Sequence, residues 1–287
     1  MLKVISFEIC PFVQRVTAAL EARNIPYKVE YISLKNKPQG FLDISPNGQV
    51  PVLLTENDTA LFESDAIVEY IEDEFGPLES GISNEERAKD RAWSYLGTKN
   101  YLAQCGAMSS KEADTFKQRT EKLRAVFQKM EKQLSGDTAF FKSEQLSNVD
   151  IAWLPLLHRA DIVKAHSDYD LLCCLPKTQA WQKQVLSTGL NEKSVSADFL
   201  ERFKNFYLTN TFVATINEND EFHCCTSECC MAGCCTPDCC STEECQTNYC
   251  IACVCKDDCC NSGCCDSECC NVDKRKENCC TPDCCKK

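Results

Sequence analysis

Cysteine placement constrains this chain more than any other feature. Of its 26 cysteines, only Cys10, Cys105, Cys173 and Cys174 precede residue 223, and the other 22 lie between Cys224 and Cys285. The two parts must therefore be held together differently. Up to about residue 216 the chain is rich in Leu, Val, Ile, Phe and Ala, enough to bury a packed core. Beyond it the sizeable apolar side chains are Phe222, Met231, Tyr249, Ile251, Val254 and Val272. So little apolar surface cannot offset the entropy of ordering seventy residues. Order there has to come through sulfur.

The cysteines of the tail are periodic. Doublets stand at Cys224-Cys225, Cys229-Cys230, Cys234-Cys235 and Cys239-Cys240, then at Cys259-Cys260, Cys264-Cys265, Cys269-Cys270, Cys279-Cys280 and Cys284-Cys285. Between the two arrays lie Cys245, Cys250, Cys253 and Cys255, the last three spelling C-x-x-C-x-C. The spacers are Thr, Ser, Pro, Asp, Gly and Asn, which turn readily and return successive thiol pairs to one centre. Soft thiolates in this number select Zn(II), Cd(II) or Cu(I) over harder ions. At four sulfurs per tetrahedral ion the segment seats about five divalent ions, or roughly seven with bridging sulfurs. The composition resembles that of metallothioneins. A disulfide framework, a lipidated cysteine string and an unliganded disordered repeat are the competing readings. Adjacent cysteines seldom pair without strain, and a lipidated string wants apolar or basic neighbours.

Charge narrows the partners. The formal net charge is -12, and residues 217–287 carry 14 acidic and 6 basic side chains, a net of -8. Such a balance argues against nucleic acid and anionic membrane, and suits cations. The apolar run at the N-terminus is broken by Glu8, unlike a secretory signal. No stretch of about 18 apolar residues suggests a membrane span. A cytoplasmic location is expected, where thiols stay reduced and dense cysteines read as metal ligands before disulfides.

The first 216 residues divide by pattern. Lys3–Phe7 is a short apolar strand, and Pro11 opens a helix with Val13, Val16, Ala19 and Leu20 at helical spacing. Tyr27–Ile32 alternates as a strand. A helical or irregular stretch over Lys37–Leu42 ends at the turn Pro46-Asn47-Gly48, and Val50–Leu54 and Thr59–Phe62 form a hairpin. Ser64 starts a helix with Ile67, Ile71 and Phe75 on one face, stopped at Gly76-Pro77. This β-α-β, β-β-α order suits a small mixed sheet of the thioredoxin type. From Asn84 to about Tyr207 the pattern is helical. Trp93, Leu96 and Asn100 belong to one long helix, and Phe116, Leu123, Phe127 and Met130 to another. Ser147-Asn148-Val149-Asp150 is a helix-capping signal, and the apolar run Ile151–Leu157 after it makes a central helix. Pro176 opens a helix with Trp181 and Val185. The expected fold is thus an α/β thioredoxin-like module over residues 1–77, an all-α helical module over 84–210 and an irregular cysteine-rich tail over 217–287.

Cys10 is the candidate nucleophile. It precedes a helix that begins with Pro11, where unpaired N–H groups and the positive helix end favour thiolate over thiol, so a lowered pKa is expected. A thiolate attacks disulfides. Val13 occupies the second position of a would-be C-x-x-C motif, which leaves no partner thiol there and favours a monothiol cycle. Cys105, Cys173 and Cys174 read as packing residues, and His158 and His166 receive no role.

Cys10-Pro11-Phe12 after the first strand, Val50-Pro51 at the third, Glu63-Ser64 at the third helix and the cap from Ser147 to Asp150 occur in one order at compatible spacings. Together they resemble the soluble glutathione transferases, over residues 1 to about 210. Cys10-Pro11-Phe12-Val13-Gln14-Arg15 and Leu34-Lys35-Asn36-Lys37-Pro38 look most like the omega class and related bacterial enzymes. The resemblance implies glutathione as cosubstrate, a disulfide, glutathionylated or electrophilic small molecule as acceptor, and a homodimer. It places Phe12 in the glutathione site, makes the Val50–Pro51 bond cis and turns the Val50 backbone toward the peptide. Glu63 and Ser64 would take the γ-glutamyl end, and Lys37 the glycyl carboxylate. Two functions of different class follow: a glutathione-dependent thiol transferase or reductase with a metal-buffering tail, or a metal store that uses a silent transferase fold as carrier or partner-binding module.

Overall fold

The computed structural model describes residues 1–167 and 169–216. The expected irregular tail and all 22 of its candidate ligand cysteines lie outside them. The first module is β1 (Leu2–Ser6), α1 (Pro11–Glu21), β2 (Tyr27–Tyr31), α2 (Gln39–Ile44), β3 (Val52–Leu54), β4 (Ala60–Phe62) and α3 (Ser64–Phe75). The second is α4 (Asn84–Thr98), α5 (Tyr101–Met108), α6 (Ala113–Gln133), α7 (Asn148–Ser167), α8 (Pro176–Ser187), α9 (Leu190–Lys193) and α10 (Phe199–Tyr207), then a 3₁₀ turn at Phe212–Thr215. This is a thioredoxin-like module with an all-helical one.

The sheet has the order β2-β1-β3-β4, with β1 parallel to β2 and antiparallel to β3, and β3 antiparallel to β4. Side chains alternate across it, as the two-residue period requires. Val4 and Leu53 face one side and join the main core with Val16, Leu20, Ile67 and Ile71 of the flanking helices. Ile5 and Val52 face the other and pack with Ile32 and with Phe41 of α2.

This topology places the functional segments. Ile5 of β1 is opposite Val52, and Val52 is opposite Phe62 of β4. Because β3 runs against both, the chain leaving β1 for Cys10, the chain entering β3 from Val50–Pro51 and the chain leaving β4 for Glu63–Ser64 meet at one end of the sheet. Ser6 is also opposite Tyr31, so the loop from β2 toward Lys37 leaves at that same end.

In the helical module α7 is central: from Val149 to Ala160 every residue is buried. Its cap is more extensive than the sequence motif alone suggests. The Asp150 carboxylate accepts from the Ser147 N–H at 2.8 Å and hydroxyl at 2.6 Å, the Phe141 N–H at 2.9 Å and Trp181 Nε1 at 2.6 Å. Glu72 of α3 pairs with Arg87 of α4 at 2.7 Å and accepts from Asn148 of α7, which fastens the two modules together.

Two local expectations need correcting. Trp93, Leu96 and Asn100 do not share one long helix. The turn tightens at its end, with the Asn100 N–H donating to the Gly97 carbonyl at 3.0 Å and its side chain to the Leu96 carbonyl at 2.7 Å. Asn100 thus closes α4 and caps α5 instead of continuing either. Phe75, placed by periodicity on the buried face of α3, is 44% exposed because it is the last residue before Gly76 turns away.

Candidate active site

Cys10 is the N-cap of α1, with Pro11 in the first turn where a missing N–H costs nothing. A turn holds it there: the Cys10 N–H donates to the Phe7 carbonyl at 3.1 Å, and its own carbonyl accepts from the Gln14 N–H at 3.1 Å. The thiol does receive the help that a helix start offers, from the backbone N–H groups of Val13 and Phe12 and from the charge of Arg159. Burial outweighs them and pushes the thiol up to about 11. The lowered pKa expected from helix position alone is therefore corrected: in the ligand-free protein Cys10 is a thiol at neutral pH.

The loops expected to meet glutathione gather around the turn at Pro46-Asn47-Gly48. The Val50–Pro51 peptide is cis. Gly48 has φ +57°, and a Cβ there would lie 3.5 Å from Lys37 Nζ, so the half-buried lysine folds over the turn. Asn47 Nδ2 donates to Glu63 Oε1 at 3.2 Å. Glu63 has φ +66°, a left-handed conformation rare for a side-chain-bearing residue, and Ser64 behind it is buried at the start of α3. The Phe12 ring stands edge-on to Tyr101 of α5, centroids 5.0 Å apart. A cleft of about 330 Å³ opens beside Cys10, lined by Ser6, Glu8, Tyr27, Tyr31 and Ser196 among others; Lys37, Val50, Pro51, Glu63 and Ser64 do not line it. Another, of about 440 Å³, lies between α3 and α4 away from Cys10.

Below Cys10 lies a buried polar group that sequence reasoning missed. Arg159 of α7 is 0% exposed. Its guanidinium donates to the Ile9 carbonyl at 3.1 Å, the Pro155 carbonyl at 3.0 Å and Gln14 Oε1 at 2.5 Å, and lies 5.5 Å from the Phe199 ring centroid. The Gln14 amide then donates to His158 Nδ1 at 2.9 Å. Burial, with Arg159 next to it, pulls His158 down to about 3, so the imidazole is neutral. His158 thus has a structural place two contacts from Cys10, and His166 shares a hydrogen bond with the Ile162 carbonyl of its own helix. The signal was present in the sequence: a His-Arg pair closing a run that is otherwise apolar on every side.

Cys173 and Cys174 are buried, with their sulfurs 3.5 Å apart. Among the described residues no group of His, Cys, Asp and Glu is placed to hold a metal ion, and no helix is long and apolar enough to cross a membrane.

Two family models match this chain: the glutathione S-transferase N-terminal domain over residues 9–74 and the C-terminal domain over residues 86–188. The omega-1 glutathione S-transferase of Sus scrofa is 30% identical over 220 residues, which are 74% of this chain and 88% of that protein. The glutathione S-transferase DHAR2 of Arabidopsis thaliana is 33% identical over 159 residues, 55% of this chain and 70% of that one. A probable chloroplastic glutathione S-transferase DHAR2 of Oryza sativa is 27% identical over 188 residues, and the match spans 65% of each chain, just under two thirds. Among solved structures, glutathione transferase Omega 3C from Trametes versicolor superposes with a TM-score of 0.59 at 25% identity, covering 68% of this chain and 89% of that one. Rice GST1 in complex with glutathione has the same fold, with a TM-score of 0.61 at 21% identity over 72% of this chain and 97% of that one. With its two modules, their order and these relatives, the chain belongs to the glutathione S-transferase family and is a glutathione transferase related to the omega class.

Proposed function

We propose that the chain is a glutathione-dependent thiol transferase or reductase with Cys10 as nucleophile, carrying a thiolate tail for soft metal ions. The observation that carries the first half is the convergence of four segments at one end of the sheet: Cys10, Val50–Pro51, Glu63–Ser64 and the Lys37 loop. Glutathione lies along that end, its γ-glutamyl group at Glu63 and Ser64, its backbone against Val50 and Pro51, and its glycyl carboxylate toward Lys37. Phe12 backs the site through its packing on Tyr101. Cys10 in thiolate form attacks the glutathione sulfur of a mixed disulfide. A Cys10–glutathione bond forms, the substrate S–S bond breaks, and the substrate leaves as a thiol. A second glutathione then attacks that bond and departs as glutathione disulfide, returning Cys10. Electrophilic small molecules are a further acceptor class.

The tail supports the second half by donor chemistry alone. The 22 cysteines from Cys224 to Cys285 offer only thiol ligands in an acidic, polar background, which suits Zn(II), Cd(II) or Cu(I). The same reading carries the division at about 77–84 and 210–217, a reducing cytoplasm that keeps so many thiols free, and a homodimer.

Truncation after residue 216 tests both halves. The shortened protein should reduce a glutathionylated peptide at the full-length rate and take up no metal by native mass spectrometry. Metal retained by residues 1–216, or transferase activity lost with the tail, overturns the division of labour.

A further inference from the structure

Cys105 read as a packing residue in the sequence, and the absence of a thiol at position 13 pointed to a single-cysteine cycle. The fold packs the helix that carries Cys105 against Phe12, two residues after Cys10. Phe12, two residues after Cys10, stands against Tyr101, which is one helical turn before Cys105 on the same face of α5. Gln104, the neighbour of Cys105, donates to the Leu156 carbonyl of α7 at 2.9 Å. One turn along α7, Arg159 donates to the carbonyl of Ile9, the residue before Cys10. Tyr207, at the end of α10, is pushed up first by burial and then by the nearness of Cys105. Both cysteines are half-buried against one core.

Arg159, on which both cysteines act, is built for negative charge. Arg159 is buried completely, its partners are a side-chain amide oxygen and two carbonyls, and its Nε has no partner. Among the described residues it makes no ion pair within 4.0 Å. A buried guanidinium without a counter-ion favours an anion beside it. Cys10, Cys105, Tyr101 and Tyr207 are the ionisable groups that act on it, and both tyrosines are pushed up by burial and stay neutral. Cys10 and Cys105 are the thiols on which its charge acts.

We propose that Cys105 is the resolving thiol of Cys10, and that turnover passes through a Cys10–Cys105 disulfide. The pairing rests on the reading of Cys10 as the nucleophile. Once Cys10 carries glutathione, Cys105 loses its proton and attacks Cys10 Sγ. The Cys10–Cys105 bond forms, the bond to glutathione breaks, and glutathione leaves as a thiolate that takes up the proton. Two further glutathione molecules supply the two electrons that restore both thiols, and depart as glutathione disulfide. The negative charge moves between sulfurs that Arg159 serves in common.

Peptide mapping of the full-length protein tests this. Wild type, Cys105→Ser and Cys105→Ala are treated with glutathione disulfide, acid-quenched, alkylated, digested and analysed by mass spectrometry. Circular dichroism checks that both variants are folded. Wild type should yield the Cys10 peptide linked to the Cys105 peptide, and the variants should lose that link and hold glutathione on Cys10 instead. Equal glutathionylation of Cys10 in wild type and variants overturns the pairing while leaving Cys10 as nucleophile. A link from Cys10 to any cysteine after residue 223 also overturns it. Cys10 unmodified in every protein refutes the nucleophile reading and the pairing with it.

Discussion

The guanidinium of Arg159, in the central helix of the helical module, donates to the backbone carbonyl of Ile9 at 3.1 Å and so holds the residue that leads into Cys10. The approach to Cys10, the proposed nucleophile in one module, is thus held by a buried charge of the other. Arg159→Leu leaves the Ile9 carbonyl and Gln14 Oε1 without their donor, at a cost of about 2–4 kcal/mol. It also removes a charge that favours the Cys10 thiolate. Urea denaturation should show the loss, and alkylation of Cys10 at a fixed pH should slow by about threefold or more. Arg159→Lys keeps charge without the forked geometry, so it should restore part of the alkylation rate and less of the stability.

Alkylation of Cys10 in the ligand-free protein should follow its raised pKa. Only the thiolate reacts, so the rate should climb about tenfold per pH unit between pH 7 and 10, with its midpoint near 11. Iodoacetamide labelling with peptide-level readout measures it. A midpoint between 6 and 8 would show that the helix start prevails over burial.

His158 gives the fold an acid-sensitive point. Its folded pKa, about 3, lies below the ordinary 6.5, so the unfolded chain binds the proton more readily. The stability this contributes is complete above pH 6.5 and is lost as pH falls toward 3, by up to about 1.4 kcal/mol per unit. His158→Gln, which can still accept from Gln14, should flatten the thermal-stability profile between pH 6.5 and 5. An unchanged slope there contradicts the assignment.

Asp150 holds four donors from three segments, and burial raises its pKa against the pull of Ser147, Trp181 and Phe141. Asp150→Ala leaves all of them unsatisfied in the core, which should cost about 3–5 kcal/mol. Chemical denaturation followed by Trp fluorescence measures it. A loss below about 1 kcal/mol would mean that water replaces the carboxylate.

What could be read from the sequence was what is local. Pro11 and the apolar spacing behind it located α1 and its N-cap, Ser147 and Asp150 announced the start of α7, and the apolar run after them identified a buried helix. The cis bond at Val50–Pro51 came from family resemblance, as did the roles proposed for Lys37, Glu63 and Ser64. What escaped depends on the folded surroundings. The break at Asn100 comes from a side chain bonding back to its own helix. The pKa of Cys10 is decided by burial that no flanking residue reveals. Arg159 reaches Gln14 and the Ile9 carbonyl beside Cys10 from a helix some 150 residues along the chain, and sequence spacing carries no record of that meeting.

Turnover of a glutathionylated peptide with glutathione, in wild type and Cys10→Ser, bears most directly on the assignment of Cys10. A serine hydroxyl is a far weaker nucleophile toward sulfur, so the substitution should lower kcat/KM by at least about a thousandfold while glutathione binding persists. Retention of the wild-type rate by Cys10→Ser would contradict Cys10 as the attacking group.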